Sequence, residues 1–208
     1  MRFLSFLALV LVGCAHRTHG SDHHFDDAEG WAQRFEDPTR DSWQMPQQVI
    51  DALGLTSAMK VADIGAATGY FPVRFAKVAA QVYGVDIESS MVEYLTHRAE
   101  REEIKNLTAV LATGDDAKIP QPVDVITIVD TYHHLENRPA YFTALRGSLA
   151  PGGRIAIIDF RVGSKRGPPD EVKVAPETVV SELAQAGFTL GTRHDFLPDQ
   201  YFLIFSLK

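Results

Sequence analysis

The chain predicts an α/β fold: a doubly wound, mostly parallel seven-stranded sheet that ends in an antiparallel hairpin. Three observations carry that expectation. Short β-branched apolar runs alternate with segments of helical period through most of the chain, which is the pattern of parallel strands joined by right-handed crossovers. Small residues follow the first run at once, in Gly65-Ala66-Ala67-Thr68-Gly69. The last two runs, Phe188 to Phe196 and Tyr201 to Leu207, are separated by little more than Pro198-Asp199, close enough to pair as a hairpin. At 208 residues, 45% hydrophobic and 23% charged, the chain has room for one domain, or two small ones, with an ordinary packed core that needs no disulfide or metal.

Each element follows from its residues. Before Lys60 one helix is expected, from Ser42 or Pro46 to Leu53, ended by Gly54. A short β-branched apolar run from Lys60 ends in Asp63 and reads as the first strand, with Pro72 placed to begin a helix after the small-residue turn. Gln81 to Val85 is the second strand and stops at Asp86; Met91, Tyr94, Leu95 and Arg98 then recur at helical spacing between Glu88 and Arg101. Further strands are expected at Leu107 to Ala112, Val123 to Val129 and Arg154 to Asp159. A helix from Arg138 to Leu149 ends at Pro151-Gly152-Gly153, and another runs from Pro176 to Ala186. In such a sheet ligands bind in the crevice at the strands' carboxyl ends, so function is expected just after each strand.

The N-terminus has a different composition. Arg2, an apolar run from Phe3 to Val12, Gly13 and Cys14 have signal-peptide architecture, and the run is too short to span a bilayer. Leu11-Val12-Gly13-Cys14 resembles the lipobox of bacterial lipoproteins, which implies a lipidated Cys14 and a cell-envelope location. The alternatives are a buried N-terminal helix and a cytoplasmic protein. Residues 1–20 are read as the leader with its lipobox and the start of a tether, 21–41 as a polar His-rich linker and 42–208 as the domain. His16, His19, His23 and His24 fall in or near the tether; a His-rich tract can bind metal, but without a second Cys or a shared helical register the tether reading is preferred and no metal site is expected. The charge of −7 repels phosphate backbones, so nucleic acid is not an expected partner.

The turn after the first strand and Asp86, 21 residues beyond Gly65, form a pair: backbone amides that can approach a ligand, and a carboxylate that can accept both hydroxyls of a ribose. A dinucleotide fingerprint would need Gly at 67 and 70, where the chain has Ala67 and Tyr70, so a nucleoside without a pyrophosphate fits better.

These residues resemble the class I S-adenosylmethionine (SAM) dependent methyltransferases of Rossmann-like fold, and within them the small-molecule, quinone-biosynthesis type. The resemblance covers about residues 42 to 208. It implies SAM as cofactor, with Gly65, Ala67 and Gly69 at its amino-acid moiety, Asp63 supporting the loop, and Asp86 on the ribose beside Ile87. Ala67 stands where the family usually has glycine. After the third strand, Asp115 is expected at the adenine amine, with Asp116 the alternative. Asp130 completes the cofactor set. The segment Asp130-Thr131-Tyr132-His133-His134-Leu135 is expected to border the methyl group and a small-molecule acceptor.

Methyl transfer is an in-line displacement that needs alignment and exclusion of water more than many catalytic groups. If the acceptor is a hydroxyl, thiol or acidic carbon, His133 or His134 is the expected base; His134 can also be read as a core imidazole. Arg161 to Val174 is a long irregular insertion suited to a substrate lid, with Arg161, Lys165, Arg166 and Lys173 available to an anionic acceptor. The competing reading is an envelope lipoprotein that uses the fold to bind a small ligand without turnover.

Overall fold

The computed structural model describes residues 27–208. The lipobox at Cys14 and the four histidines from His16 to His24 lie outside the described residues. The elements run α1 (Ala28–Phe35), α2 (Asp41–Gln44), α3 (Pro46–Leu53), β1 (Lys60–Ile64), α4 (Pro72–Phe75), β2 (Gln81–Asp86), α5 (Ser89–Arg101), β3 (Leu107–Leu111), β4 (Val123–Val129), α6 (Arg138–Leu145), β5 (Leu149–Phe160), α7 (Pro176–Gln185), β6 (Phe188–His194) and β7 (Gln200–Leu207). Short 3₁₀ turns occupy Pro38–Arg40, Tyr132–His134 and Arg146–Ser148.

The seven strands form one sheet in the order β3-β2-β1-β4-β5-β7-β6. The first five are parallel, and β7 enters antiparallel between β5 and β6. The predicted fold and hairpin are thus observed. The order reverses between β1 and β4, and this switch point opens a crevice at their carboxyl ends.

The apolar runs are strands because both their faces are covered. Ile126, Ile128, Ile155, Ile157, Leu203 and Phe205 face α6 and α7 through Phe142, Leu145, Val179 and Leu183. Val61, Val82, Val125, Ile158 and Phe202 face α3, α4 and α5 through Val49, Leu53, Phe75 and Leu95. Each fully buried side chain of this kind contributes about 1.5–3 kcal/mol.

Four elements differ from the sequence reading. The strand expected at Arg154 begins at Leu149: its register against β4 shifts between the pairs Val123–Leu149 and Val125–Arg154, and this irregularity in β5 takes up Pro151-Gly152-Gly153, with Gly152 in the left-handed region. The preceding helix therefore stops at Leu145 and closes in a 3₁₀ turn. Pro72 does begin a helix, but one of a single turn, Pro72–Phe75. Finally, the stretch expected to be a solvated tether is folded from Ala28 onward. Asp27 caps α1 by accepting from Gly30 N–H at 2.9 Å, and Trp31 stacks on Phe35 one turn later at 5.3 Å. Among the described residues no helix is long and apolar enough to cross a membrane.

Candidate functional site

The crevice is built from strand ends. The side chains of β1 and β2 that end in carboxylates, Asp63 and Asp86, stand beside one turn, Gly65 to Gly69. Asp86 Oδ2 accepts the Ala67 N–H at 2.8 Å and Oδ1 accepts the Glu88 N–H at 3.0 Å, so the second strand's carboxylate shapes the first strand's loop. Burial raises its pKa, against the lowering effect of those two N–H groups.

The loop glycines are required by packing. A Cβ on Gly65 (φ +77°) would collide with Thr131, and one on Gly69 (φ +97°) with Leu95. Leu95 also fills the space above Gly84, so one leucine occupies two glycine vacancies on neighbouring elements. Ala67 takes φ +46°: it holds the left-handed conformation, in which a glycine is unstrained, at a cost of about 1–2 kcal/mol.

Asp63 is buried and accepts a hydrogen bond from the Thr127 hydroxyl. Burial pushes its pKa up to about 7; the Thr127 bond and Arg40 oppose the rise, and Asp86 and Asp130 add to it. Asp130 sits just past β4 at φ +55°. Burial pushes it up to about 7 as well, with Arg40 as the main opposing charge. Two carboxyl groups, Asp63 and Asp130, thus share the charge of a single guanidinium at the switch point, with Asp86 close enough to raise Asp63 further.

That guanidinium was not found by sequence reasoning. Arg40 lies in the stretch read as tether, yet it reaches Asp130 at 3.3 Å, donates to Phe35 O at 2.9 Å and to Gln44 at 3.2 Å, and lies 3.9 Å above the Tyr70 ring. Gln44, fully buried, donates to Gln200 at 2.8 Å, and Gln200 donates to Asp130. Residues 37–44 are therefore a strap tied to the ends of β4 and β7.

On the other side of Asp130, the two histidines separate. The His133 side chain is 5% exposed, and its Nδ1 stands 3.0 and 2.9 Å from the oxygens of Asp159. Asp159, buried at the end of β5, also accepts the His133 backbone N–H at 3.1 Å and that of Phe160 at 2.7 Å. His134 is exposed and its ring lies 4.1 Å from that of His133; the inward imidazole is His133, so the core reading of His134 is overturned. Tyr132, beneath them, is buried and donates to Glu182, which Arg138 also holds at 2.7 Å.

The remaining expected residues lie at the β2 and β3 ends. Ile87 is 59% exposed and Leu111, paired with Asp86 in the sheet, 49% exposed, which leaves two apolar side chains uncovered on one ledge. Asp115 and Asp116 are exposed in the following loop. The Thr113 hydroxyl donates to Asp115 and holds it below the usual carboxylate range, and Asp116 accepts the Lys118 N–H. Both act as turn formers here, and neither is brought against Asp86 by a hydrogen bond.

The insertion after β5 is tied down. Lys173 donates to Ser164 O at 2.6 Å and to Asp170 at 2.8 Å, and Arg166 pairs with Asp199 at 3.0 Å. Arg161 reaches Asp195 at 3.4 Å. Three of the four cations expected for an anionic acceptor thus already have carboxylate partners. Arg166 also lies 5.1 Å over Trp43, whose ring is 5.9 Å from Phe160, so strap and insertion meet over the ends of β4 and β5. Among the described residues no cluster suited to a metal ion is present.

Residues 55–188 match the family model described as a methyltransferase domain. The chain is similar to demethylmenaquinone methyltransferase of Tropheryma whipplei (strain Twist), 31% identical over 108 residues that cover 52% of this chain and 44% of that protein. It is also similar to erythromycin 3''-O-methyltransferase of Saccharopolyspora erythraea, 28% identical over 174 residues, covering 70% and 55%. The chain spans about half the length of these curated relatives. Among solved structures, a SAM-dependent methyltransferase from Aquifex aeolicus superimposes with a TM-score of 0.79 at 24% identity, over 86% of this chain and 98% of that one; this likeness is one of fold.

Proposed function

The chain belongs to the methyltransferase domain family, and from that premise we propose that it transfers a methyl group from SAM to a hydroxyl of a small organic acceptor. When bound, the cofactor supplies an electrophilic methyl carbon on a sulfonium, open to in-line displacement.

The residues fit that cofactor. Asp86 ends β2 beside the glycine-rich turn, where a carboxylate suits a ribose. Ile87 and Leu111 offer an uncovered apolar ledge for a base. The Arg40–Asp130 pair matches the two charges of an amino acid: carboxylate to Arg40, ammonium to Asp130. The excess of carboxyl groups over guanidinium suits a ligand that carries a further positive charge.

The observation that carries the hydroxyl reading is the His133–Asp159 contact. Asp159 accepts the Nδ1 proton, which fixes the tautomer and leaves Nε2 with its lone pair. His133 then takes the acceptor's proton at Nε2 as the oxygen attacks, and Asp159 stabilises the imidazolium that forms. A tertiary amine or sulfide acceptor would have no proton to give, and the pair would have no task. Trp43, with Phe160 at 5.9 Å and Arg166 at 5.1 Å, is the side chain placed to shield this end of the crevice from water.

The test is calorimetric titration of SAM into the protein, with Asp86→Ala as control, followed by turnover assays against phenols, alcohols and amines. Binding that the substitution removes, with turnover confined to hydroxyl acceptors, supports the reading; no binding to folded protein sinks it and favours the non-catalytic alternative. We also propose that the leader is processed at Cys14; an unmodified Met1 in mass spectra of the native protein would remove that part.

A further inference from the structure

Arg98 is the only arginine in α5 that is buried, at 9% exposure. A guanidinium is costly to bury unless it is paired, and Arg98 has three partners on three different elements. Its Nη1 donates to the Thr68 carbonyl at 3.0 Å and pairs with Glu36 at 2.6 Å, and its Nε pairs with Glu102 one turn along its own helix at 2.8 Å.

The first two partners matter. Thr68 lies in the turn after β1, and the peptide between Thr68 and Gly69 is held at both ends: its carbonyl by Arg98, its N–H by Ala66 O at 2.9 Å. The Thr68 side chain is buried and its hydroxyl has no hydrogen-bond partner among the described residues, so the carbonyl is where this residue is anchored. Glu36 caps the end of α1. Four residues later Arg40 reaches Asp130 and covers Tyr70, the residue that follows Gly69. The Asp41 carboxylate then accepts from the Tyr70 hydroxyl. The N-terminal helix and strap therefore grip the glycine-rich turn from two sides, and among the described residues Arg98 is the one buried charge that touches both the helix and the turn.

We infer that Arg98 is a positioning residue for the cofactor: through Glu36 it makes the shape of the Gly65–Gly69 turn depend on α1 being seated. Cofactor binding and docking of α1 are thereby coupled, each favouring the other by the same factor. The inference rests on the cofactor reading proposed above, and its test separates the two.

In the full chain, S-adenosylhomocysteine affinity is measured by calorimetry for Glu36→Gln, Arg98→Lys and Glu102→Gln. Glu36→Gln leaves the buried arginine in place, which guards against a variant that simply fails to fold. Glu36→Gln and Arg98→Lys should each weaken binding by about tenfold, as for a typical coupling between two sites, and the double variant should lose little more than either alone. Glu102→Gln removes an ion pair of similar length on the more exposed side and should leave affinity unchanged within about twofold, as expected of a surface pair. Amide hydrogen exchange at residues 66–70 is followed without ligand; it should speed up in Glu36→Gln. Unchanged affinity and unchanged exchange in Glu36→Gln and Arg98→Lys would overturn the inference. Faster exchange in a protein whose wild type binds no S-adenosylhomocysteine would keep the coupling and overturn the cofactor reading.

Discussion

His133 Nδ1 lies 3.0 and 2.9 Å from the two carboxylate oxygens of Asp159, and the backbone N–H of His133 donates to the same group. The contact ties the 3₁₀ turn that follows β4 to the end of the neighbouring strand β5, so the orientation of the imidazole is set by a carboxylate fixed in the sheet.

The dyad should behave as one unit. Asp159→Asn presents an amide that can stabilise the wrong tautomer, and turnover of a hydroxyl acceptor should fall by about 10²–10⁴, the range for a general base. Cofactor affinity should stay as it was. His133→Gln should cost a similar factor and the double variant little more. Independent, multiplying losses in steady-state kinetics would rule out the unit.

Cofactor binding should depend on pH, with a sign set by Asp63 and Asp130. Both carboxyls are pushed up to about 7 by burial, so they are largely protonated at pH 6 and largely ionised at pH 8. A sulfonium favours the ionised form. SAM affinity should therefore rise with pH through this window, by about tenfold for each unit that binding lowers a pKa. S-adenosylhomocysteine, which lacks the sulfonium charge, should show a weaker rise. Parallel pH curves for the two ligands would show that these carboxyls do not sense the charge.

Asp63 also predicts a pH-dependent stability. Its folded pKa of about 7 exceeds the unfolded value, so the native state keeps a proton that the unfolded chain releases. The stability this group contributes is present at low pH and is lost as pH rises to about 7. Asp63→Asn can still accept from the Thr127 hydroxyl and has no proton to lose. Its unfolding free energy relative to wild type should improve by about 3 kcal/mol between pH 5 and pH 8. Urea denaturation at the two pH values measures this, and an equal difference at both would contradict it.

Ala67 holds φ +46°, where glycine has no Cβ penalty. Ala67→Gly relieves that strain but loosens the unfolded chain, so the net gain should be about 0.5–1 kcal/mol. In a domain of this size that raises Tm by about 1–4 °C, readable by calorimetry. A fall in Tm would mean that the surrounding turn already relaxes the alanine.

The sheet was legible because strands covered on both faces read as continuous apolar runs, and their ends were marked by Asp63, Asp86 and Asp130. The early start of β5 was not: Pro151-Gly152-Gly153 reads as a stop, whereas a bulge carries the strand through it. His133 and Asp159 were each visible at a strand end, but their pairing depends on the register of β4 against β5. Arg40 and Arg98 act through contacts 90 and 30 residues away, and single polar contacts at such range leave no period in the sequence. Trp31 and Phe35, one turn apart, were the one signal that could have marked α1.

The link from Gln44 to Gln200 and on to Asp130 decides where the protein can be cut. A recombinant fragment that starts at Ser42, where composition alone would place the boundary, keeps every strand and all of both apolar cores. It discards Arg40 and Glu36, and so leaves Asp130 without its guanidinium and Arg98 without one of its carboxylates. Such a fragment should express and fold while presenting an altered crevice, and an assay run on it would misreport the affinity of the whole chain. Shortened versions should begin no later than Asp27, the residue that caps α1.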